Sequence, residues 1–455
     1  MKVKEILKVT KGKMLFGNEE LEVENFSKDT RTIQKGDIYI GIKGEKFDGS
    51  NFWNQALDAG ATAVIISNIQ ISKEEKEKYK DKTIIQVEDT FEALYEIAKY
   101  KRSLYNIPVI AVTGSVGKTS TKDIIASVVS QKYKTLKTEG NNNNNIGLPL
   151  TILKLKDHEA LVVEMGMNHF GEISLLTNIA KPTLAVITNI GTSHIGNLGS
   201  RENILKAKLE ILEGMKIPRV IINNDNDLLH KWYEENKEKI EIHTYGINNS
   251  SDVIAEKIEL GEEKSKFVVK TSSEKVNIDV PVGGEHFVYN ALCGFMVGKV
   301  LGLTAKEIQN GISKFELTKK RMDIRVLKNG ATLINDSYNA SYESMKASLK
   351  YLSSRTDLRK IAVLGDMLEL GDFSKELHEK VGEEVANDNI DVLICRGEFA
   401  KNIISKANKN KKTRCILLQN NEEILSKLQE ILKEGDGVLI KASNGMKFYE
   451  ICQKL

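Results

Sequence analysis

The stretch from Val109 to Val129 constrains the fold more than any other part of the sequence. Val109-Ile-Ala-Val is an apolar strand, Thr113-Gly-Ser-Val-Gly-Lys-Thr-Ser follows it without a linker, and Lys122–Val129 continues at helical spacing. A strand that turns through glycines into a helix is the setting of a phosphate-binding P-loop, and it demands a sheet with helices packed on it. Gly114 and Gly117 let the backbone N–H groups of Ser115, Val116 and their neighbours close around phosphate oxygens at a helix N-terminus. Lys118 brings a positive charge to the terminal phosphates, and the hydroxyl of Thr119 or Ser120 can ligate Mg²⁺. The usual first glycine, five positions before Gly117, is Val112 here, so the loop is a shortened Thr-Gly-x-x-Gly-Lys-Thr form. The competing reading is a tight strand-to-helix turn with a chance Gly-Lys-Thr, which the flanking strand and helix disfavour. The loop alone indicates a nucleotide phosphate and no more.

The rest of the chain is organised in the same way. Its 455 residues exceed what one hydrophobic core serves, so several domains are expected. Strands are predicted at Asp37–Ile42, Ala61–Ile66 and Thr83–Val87, with helices at Asn51–Ala59 and Phe91–Leu104. A second series runs from Val109–Val112 through Leu161–Glu164, Leu184–Thr188, Val220–Asn223 and Ile242–Tyr245. A third runs from Ala331–Ile334 through Ile361–Leu364, Val392–Cys395, Arg414–Leu418 and Gly437–Lys441. Strands alternating with helices place the chain in the α/β class with mostly parallel sheets. Between the second and third series, Asp252–Val282 has short alternating runs that read as an antiparallel appendage to the central sheet. Pro108 disfavours helix at Ile107 and supports a break there. Domains are therefore expected at 1–104, 105–317 and 318–455.

Composition removes several function classes. With 66 basic against 63 acidic residues, the formal charge of +3 gives no reason to expect nucleic acid as a partner. Cys293, Cys395, Cys415 and Cys452 are scattered, which suits a reducing compartment and neither a disulfide framework nor a zinc site. The N-terminal Met-Lys-Val-Lys-Glu is charged where a signal peptide is apolar, and no run approaches the roughly 18 apolar residues of a membrane span. A cytoplasmic protein without membrane insertion is expected.

Further segments carry a resemblance. Glu164-Met-Gly-Met-Asn-His-Phe-Gly-Glu-Ile follows one strand, Thr188-Asn-Ile-Gly-Thr-Ser-His-Ile another, and Ala207-Lys-Leu-Glu-Ile lies soon after. With Thr113–Thr119 they resemble the Mur ligase family, which joins amino acids or peptides to peptidoglycan precursors. Asp29-Thr-Arg, Gly41-Ile-Lys-Gly-Glu-Lys-Phe-Asp-Gly, Asp336-Ser-Tyr-Asn-Ala-Ser-Tyr-Glu-Ser-Met and Leu364-Gly-Asp-Met-Leu-Glu-Leu-Gly are similar to its D-alanyl-D-alanine-adding branch. The resemblance spans about residues 25 to 447. It implies three domains: a small N-terminal α/β domain for the UDP end, a central P-loop ATPase, and a C-terminal Rossmann-like domain. It also implies an ATP-dependent amide ligase that acts on UDP-N-acetylmuramoyl-tripeptide and D-alanyl-D-alanine, working as a monomer with two Mg²⁺ ions.

The resemblance then assigns roles to individual residues. Glu164 and His194 are read as ending apolar strands at the edge where open α/β sheets bind ligands. Taken alone they are as well explained by solvation and loop hydrogen bonding, but the resemblance makes them Mg²⁺ ligands beside Thr119. Lys208 matches the lysine that the family carbamylates with CO₂, with Lys206 its near neighbour. Asn144 and Asn145, in the run Asn141–Asn145, are favoured as substrate contacts. Ser27, Thr30, Arg31, Gly44, Phe47 and Asp48 would hold the uridine end, although Arg31 could simply pair with Asp29. His286 and Asn290, four apart on one helix face, would face the nucleotide. Arg321 would reach the γ-phosphate, with Arg325 as competitor. Asp336 and Asn339, read with Tyr338 as ending the first strand of the third domain, would contact adenosine. Lys441 and Ser443, in Ile440-Lys-Ala-Ser-Asn-Gly-Met, would bind substrate, although Ala442 and Asn444 depart from the family's Lys-Gly-Ser-Arg pattern.

Rival readings predict signals of their own. A sibling ligase adding one amino acid is expected to carry Asp-Asn-Pro-Arg in its last domain, and none occurs. Folylpolyglutamate synthase suits Asp336–Met345 poorly. A guanine-specific switch calls for Asn-Lys-x-Asp, and Asn223-Asn-Asp-Asn-Asp lacks the lysine. Whether the third residue of the tripeptide is lysine or diaminopimelate is not written in the sequence.

Overall fold

The computed structural model describes residues 1–44, 47–262, 264–316 and 322–455, with the side chain of Asn410 outside the described set. Three mostly parallel sheets are found among these residues, each flanked by helices. The first orders Lys13–Phe16, Thr83–Gln86, Ala63–Ile66, Ile38–Ile40 and Phe26–Ser27, with only Lys13–Phe16 antiparallel to its neighbour. The long helix Thr90–Ser103 starts at Asp89, whose carboxylate accepts from the N–H groups of Phe91 and Glu92. It joins this sheet to the next, and buried Arg102 fastens the joint by donating to the carbonyls of Ala180 and Lys181.

The central sheet positions the site. Its strand Val109–Thr113 lies between Leu184–Ile187 and Ala160–Glu164, parallel to both, and all five of its residues are buried. Burial on both faces explains why the run is continuously apolar and not alternating. The segment Asp252–Val282 extends the same sheet and is not a wholly antiparallel appendage. Val253–Leu260 pairs parallel with Glu241–Gly246 before Ser265–Lys270 and Lys275–Val280 add antiparallel strands. So short a parallel connection is possible because Asp225 pins the link, accepting from the N–H groups of Ile247, Asn248 and Asn249.

The third sheet orders Asp323–Val326, Thr332–Asn335, Asp436–Lys441, Arg359–Gly365, Val392–Arg396 and Arg414–Leu417. Only Asp323–Val326 is antiparallel, and it precedes Thr332–Asn335, which is therefore not the domain's first strand. Asp336, Tyr338 and Asn339 lie on the loop just beyond it. Among the described residues no helix is long and apolar enough to cross a membrane.

Candidate active site

The phosphate loop leaves the centre of its sheet through two residues with positive φ, Gly114 at 152° and Gly117 at 78°. Gly117 caps the helix Lys118–Val129, whose first-turn N–H groups have no intrahelical acceptor and point at whatever occupies the loop. The loop is held from one side by Asn189: its carbonyl accepts from Ser115 N–H (3.0 Å), its Oδ1 accepts from Val116 N–H (2.9 Å), and its Nδ2 donates to the Val116 carbonyl (3.0 Å). A β-carbon at Gly114 would stand 1.9 Å from Thr188 Oγ1 and 3.2 Å from the Thr188 nitrogen. Gly114→Ala is therefore expected to displace the loop, costing about 1–3 kcal/mol of stability by overpacking. Isothermal titration should show weakened ADP binding, alongside a lowered melting temperature.

Two lysines converge on the Gly114 carbonyl. Lys118 Nζ donates to it at 2.8 Å and to the Ser115 carbonyl at 3.3 Å, and Lys208 Nζ donates to it at 3.0 Å. Lys208, on the helix Arg201–Leu209, is 1% exposed. Burial, with the charge of Lys118 adding to it, pushes its amine well below the ordinary value of 10.5. An amine held down in this way gives up its proton more readily than an exposed lysine.

Glu164, the last residue of Ala160–Glu164, is 1% exposed. Its Oε1 accepts from Asn143 Nδ2 (2.7 Å), and its N–H donates to Thr138 Oγ1 (3.1 Å). Its Oε2 and the Thr119 hydroxyl are both buried without a hydrogen-bond partner. Buried polar atoms are nearly always satisfied, so two orphaned oxygens at one phosphate loop have the chemistry of a hard-cation site. No group of three or more His, Cys, Asp or Glu among the described residues could hold a metal by itself. An ion here would need oxygens from Thr119, the nucleotide or a modified side chain as well.

A cavity of about 560 Å³ opens from this loop into the junction with the third domain. Its lining includes Ser115–Ser120, Glu164, His194, His286, Asn290, Asp336, Asn339, Lys441 and Ser443. His286 and Asn290 do share a face of Glu285–Val300, and Asn290 Oδ1 accepts from Thr121 Oγ1 (3.0 Å). Burial lowers His286 to about 4, with Asp336 opposing the shift, so its imidazole is neutral at physiological pH. Lys441, 2% exposed, donates to Asp336 Oδ2 (2.5 Å) and the Asn339 carbonyl (3.1 Å).

Comparison with known proteins bears on this arrangement. Residues 22–102 match the "Mur ligase family, catalytic domain", residues 112–298 the "Mur ligase middle domain", and residues 320–444 the "Mur ligase, glutamate ligase domain". The UDP-N-acetylmuramoyl-tripeptide--D-alanyl-D-alanine ligase of Bacillus subtilis (strain 168) is 37% identical over 100% of this chain and 98% of its own. The chain belongs to the Mur ligase family. A crystal structure of MurF from Acinetobacter baumannii superposes with a TM-score of 0.88 at 30% identity, covering 100% of this chain and 98% of that one. MurF ligase from Thermotoga maritima, solved in complex with ADP, gives 0.81 at 29% identity, covering 96% and 98%.

In this Mur ligase some expected residues are placed differently from the sequence reading. His194 does not end a strand: Leu184–Ile187 stops seven residues earlier, and His194 caps the short helix Ile195–Leu198 in a left-handed conformation (φ 63°). The reason is that the loop must turn towards the third domain before helix can resume. From the asparagine run, Asn143 is the residue that reaches Glu164. Asn144 lines the same cavity while its Oδ1 accepts from Gly147 N–H (2.8 Å), and Asn145 bonds Tyr95 of the first domain. Ser443 Oγ accepts from Leu368 N–H (2.9 Å), tying two loops of the third domain together.

Ser27, Thr30, Arg31, Gly44, Phe47 and Asp48 lie in the first domain, outside the cavity. Arg31 is bound to Asp29 (2.6 Å) on the surface, and Asp48 accepts from Ser50 N–H (2.8 Å). Phe47 is 62% exposed and meets Phe52 in a T-shaped pair, ring centroids 5.8 Å apart. Arg321 lies outside the described residues.

Asn143, Asn189, Glu343 and Glu369 had no role in the sequence reading. Asn189, Glu343 and Glu369 stand inside the segments that carry the family resemblance, so the segments were visible while the individual side chains were not.

Proposed function

We infer that this Mur ligase joins D-alanyl-D-alanine to UDP-N-acetylmuramoyl-tripeptide at the expense of ATP, yielding the pentapeptide precursor of peptidoglycan, ADP and phosphate. The observation that carries the reading is the single cleft shared by the phosphate loop, Glu164 and the third-domain residues Asp336 and Lys441. It lies in a chain that aligns end to end with ligases of that name. The proposed boundaries are 104/105 and 317/318, one ligand to a domain, in a cytoplasmic monomer.

The reaction begins when an oxygen of the tripeptide carboxylate forms a bond to the γ-phosphorus and the bond to ADP breaks. The resulting acyl phosphate is attacked by the amine of D-alanyl-D-alanine. The tetrahedral intermediate then expels phosphate, and the amine's proton passes to solvent or phosphate. Lys118 and the first-turn N–H groups hold the phosphates, while Asn189 keeps the loop in shape as charge shifts. Thr119 and Glu164 would hold Mg²⁺, with His194 and carbamylated Lys208 completing the set, and Asn143 fixes which Glu164 oxygen faces inward. Bound Mg²⁺ neutralises charge on the transferring phosphoryl group. The depressed Lys208 amine supports carbamylation, because only the free base adds CO₂, releasing one proton. Asp336, Asn339, His286 and Asn290 would contact the adenosine side of ATP, and Ser27, Thr30, Arg31, Gly44, Phe47 and Asp48 the uridine end. Asn144, Asn145, Lys441 and Ser443 would bind the substrate.

Phosphate release is expected only when ATP, UDP-N-acetylmuramoyl-tripeptide and D-alanyl-D-alanine are all present. Equal release without the dipeptide would overturn the ligase reading. Comparing lysine- and diaminopimelate-containing tripeptides would assign the third residue.

A further inference from the structure

Two carboxylates of the third domain reach across the cleft and grip one loop of the central domain. Glu343, in the first turn of Tyr342–Ser354, accepts from Thr192 N–H (2.7 Å) and from the Thr192 hydroxyl (3.1 Å). Glu369 Oε2 lies 2.5 Å from His194 Nδ1, and the Glu369 carbonyl accepts from Gly196 N–H (3.1 Å). His194 and Glu369 both adopt left-handed backbone, at φ 63° and 64°, although neither is glycine. Such strain persists only where the surroundings impose it.

The loop is shaped to be gripped. A β-carbon at Gly191 would stand 2.5 Å from the Glu343 carboxyl carbon. One at Gly196 would stand 2.6 Å from Gly371 N and 2.7 Å from the Glu369 carbonyl oxygen. The second clash is with backbone of the other domain, which cannot swing aside as a side chain can. Gly196 itself lies within Ile195–Leu198 at negative φ, so its own fold does not call for glycine. The docking of the third domain does.

A carboxylate opposite Nδ1 makes that nitrogen the donor, so in the neutral ring the lone pair sits on Nε2. We propose that Glu369 and Glu343 form an interdomain clasp in which Glu369 is a positioning residue. The clasp fixes the tautomer and direction of His194, so that the histidine is presented to the reaction only when the third domain has closed. The clasp rests on the ligase reading for its consequence in turnover, but not for its consequence in domain closure.

The test uses the full chain. Glu369→Ala is expected to lower kcat about 10–100-fold, the usual cost of removing a group that orients a ligand histidine. Its affinity for ADP without Mg²⁺, to which His194 makes no proposed contact, should stay near wild type. Glu369→Gln keeps an acceptor for the Nδ1–H and should fall between the two. Gly196→Ala should leave the melting temperature of the central domain unchanged, but keep a larger radius of gyration by small-angle X-ray scattering with ADP, Mg²⁺ and UDP-N-acetylmuramoyl-tripeptide. Should Glu369→Ala fail to fold, Glu369→Gln and Gly196→Ala carry the test. The clasp is overturned if the Glu369 variants keep wild-type kcat, or if Gly196→Ala closes to the wild-type radius. A wild-type chain that closes on ADP yet makes no product would sink the ligase reading, while the scattering comparison would still decide the clasp.

Discussion

Replacing Lys208 by Met is expected to abolish turnover and to stabilise the protein. Lys208 Nζ is buried, and the Gly114 carbonyl to which it donates also takes Lys118. A lysine buried there beside a like charge costs stability, so the proposed role in chemistry is what it offers in return. On the proposed role of Lys208 as a carbamate beside Mg²⁺, its loss should lower kcat by about 10³-fold or more, at the upper end of single electrostatic contributions. In CO₂-free buffer at pH 7 the same variant should melt higher, on the order of 2–4 °C per kcal/mol recovered. The sign follows from linkage: the folded-state amine lies below its ordinary 10.5, so between the two values the unfolded chain binds more protons and stability rises with pH. The cost of the buried amine is full below the depressed value and disappears as pH rises to 10.5. The advantage of Met over Lys should therefore narrow in melts run from pH 7 to pH 10. A Lys208→Met chain with wild-type turnover would remove the residue from the mechanism.

The contrast between local and distant information explains what could be read in advance. Val109–Val129 was legible because strand, turn and helix are written in adjacent residues, and Gly114 and Gly117 each meet a demand their own φ values impose. Glu164 was legible as the polar end of an apolar strand. Asn143 was not, because five asparagines in a row carry no register, and only folding decides which one meets Glu164. His194 was found by its segment but misplaced on a strand, since nothing local announces a left-handed turn at a histidine. Glu343 and Glu369 were within view as letters, yet their role needs Thr192 and His194 to arrive from another domain. The parallel start of Val253–Leu260 was hidden for the same reason, because the Asp225 side chain that permits it lies more than twenty residues upstream.

Lys118→Met is expected to remove turnover by a different route from Lys208→Met, and the difference can be measured. Lys118 is the cation of the phosphate loop, with Nζ seated on the Gly114 and Ser115 carbonyls, so that its charge stands beside the helix N-terminus. Its loss should cost about 10³-fold in kcat, as removal of a donor aimed at developing charge does. Affinity for ADP should fall as well, because the ground-state phosphates use the same charge, whereas Lys208→Met should bind ADP nearly normally. Lys118→Arg should not rescue, since a planar guanidinium cannot place a point charge between two carbonyls set for an ammonium. The two lysines also predict an effect on each other. Lys118 is one of the two causes that depress the Lys208 amine, so its removal should raise that amine towards its ordinary value and reduce the free base available to CO₂. With ¹³C-bicarbonate, a carbamate signal present in wild type should therefore weaken in Lys118→Met and vanish in Lys208→Met. An undiminished signal in Lys118→Met would show that burial alone sets the state of Lys208.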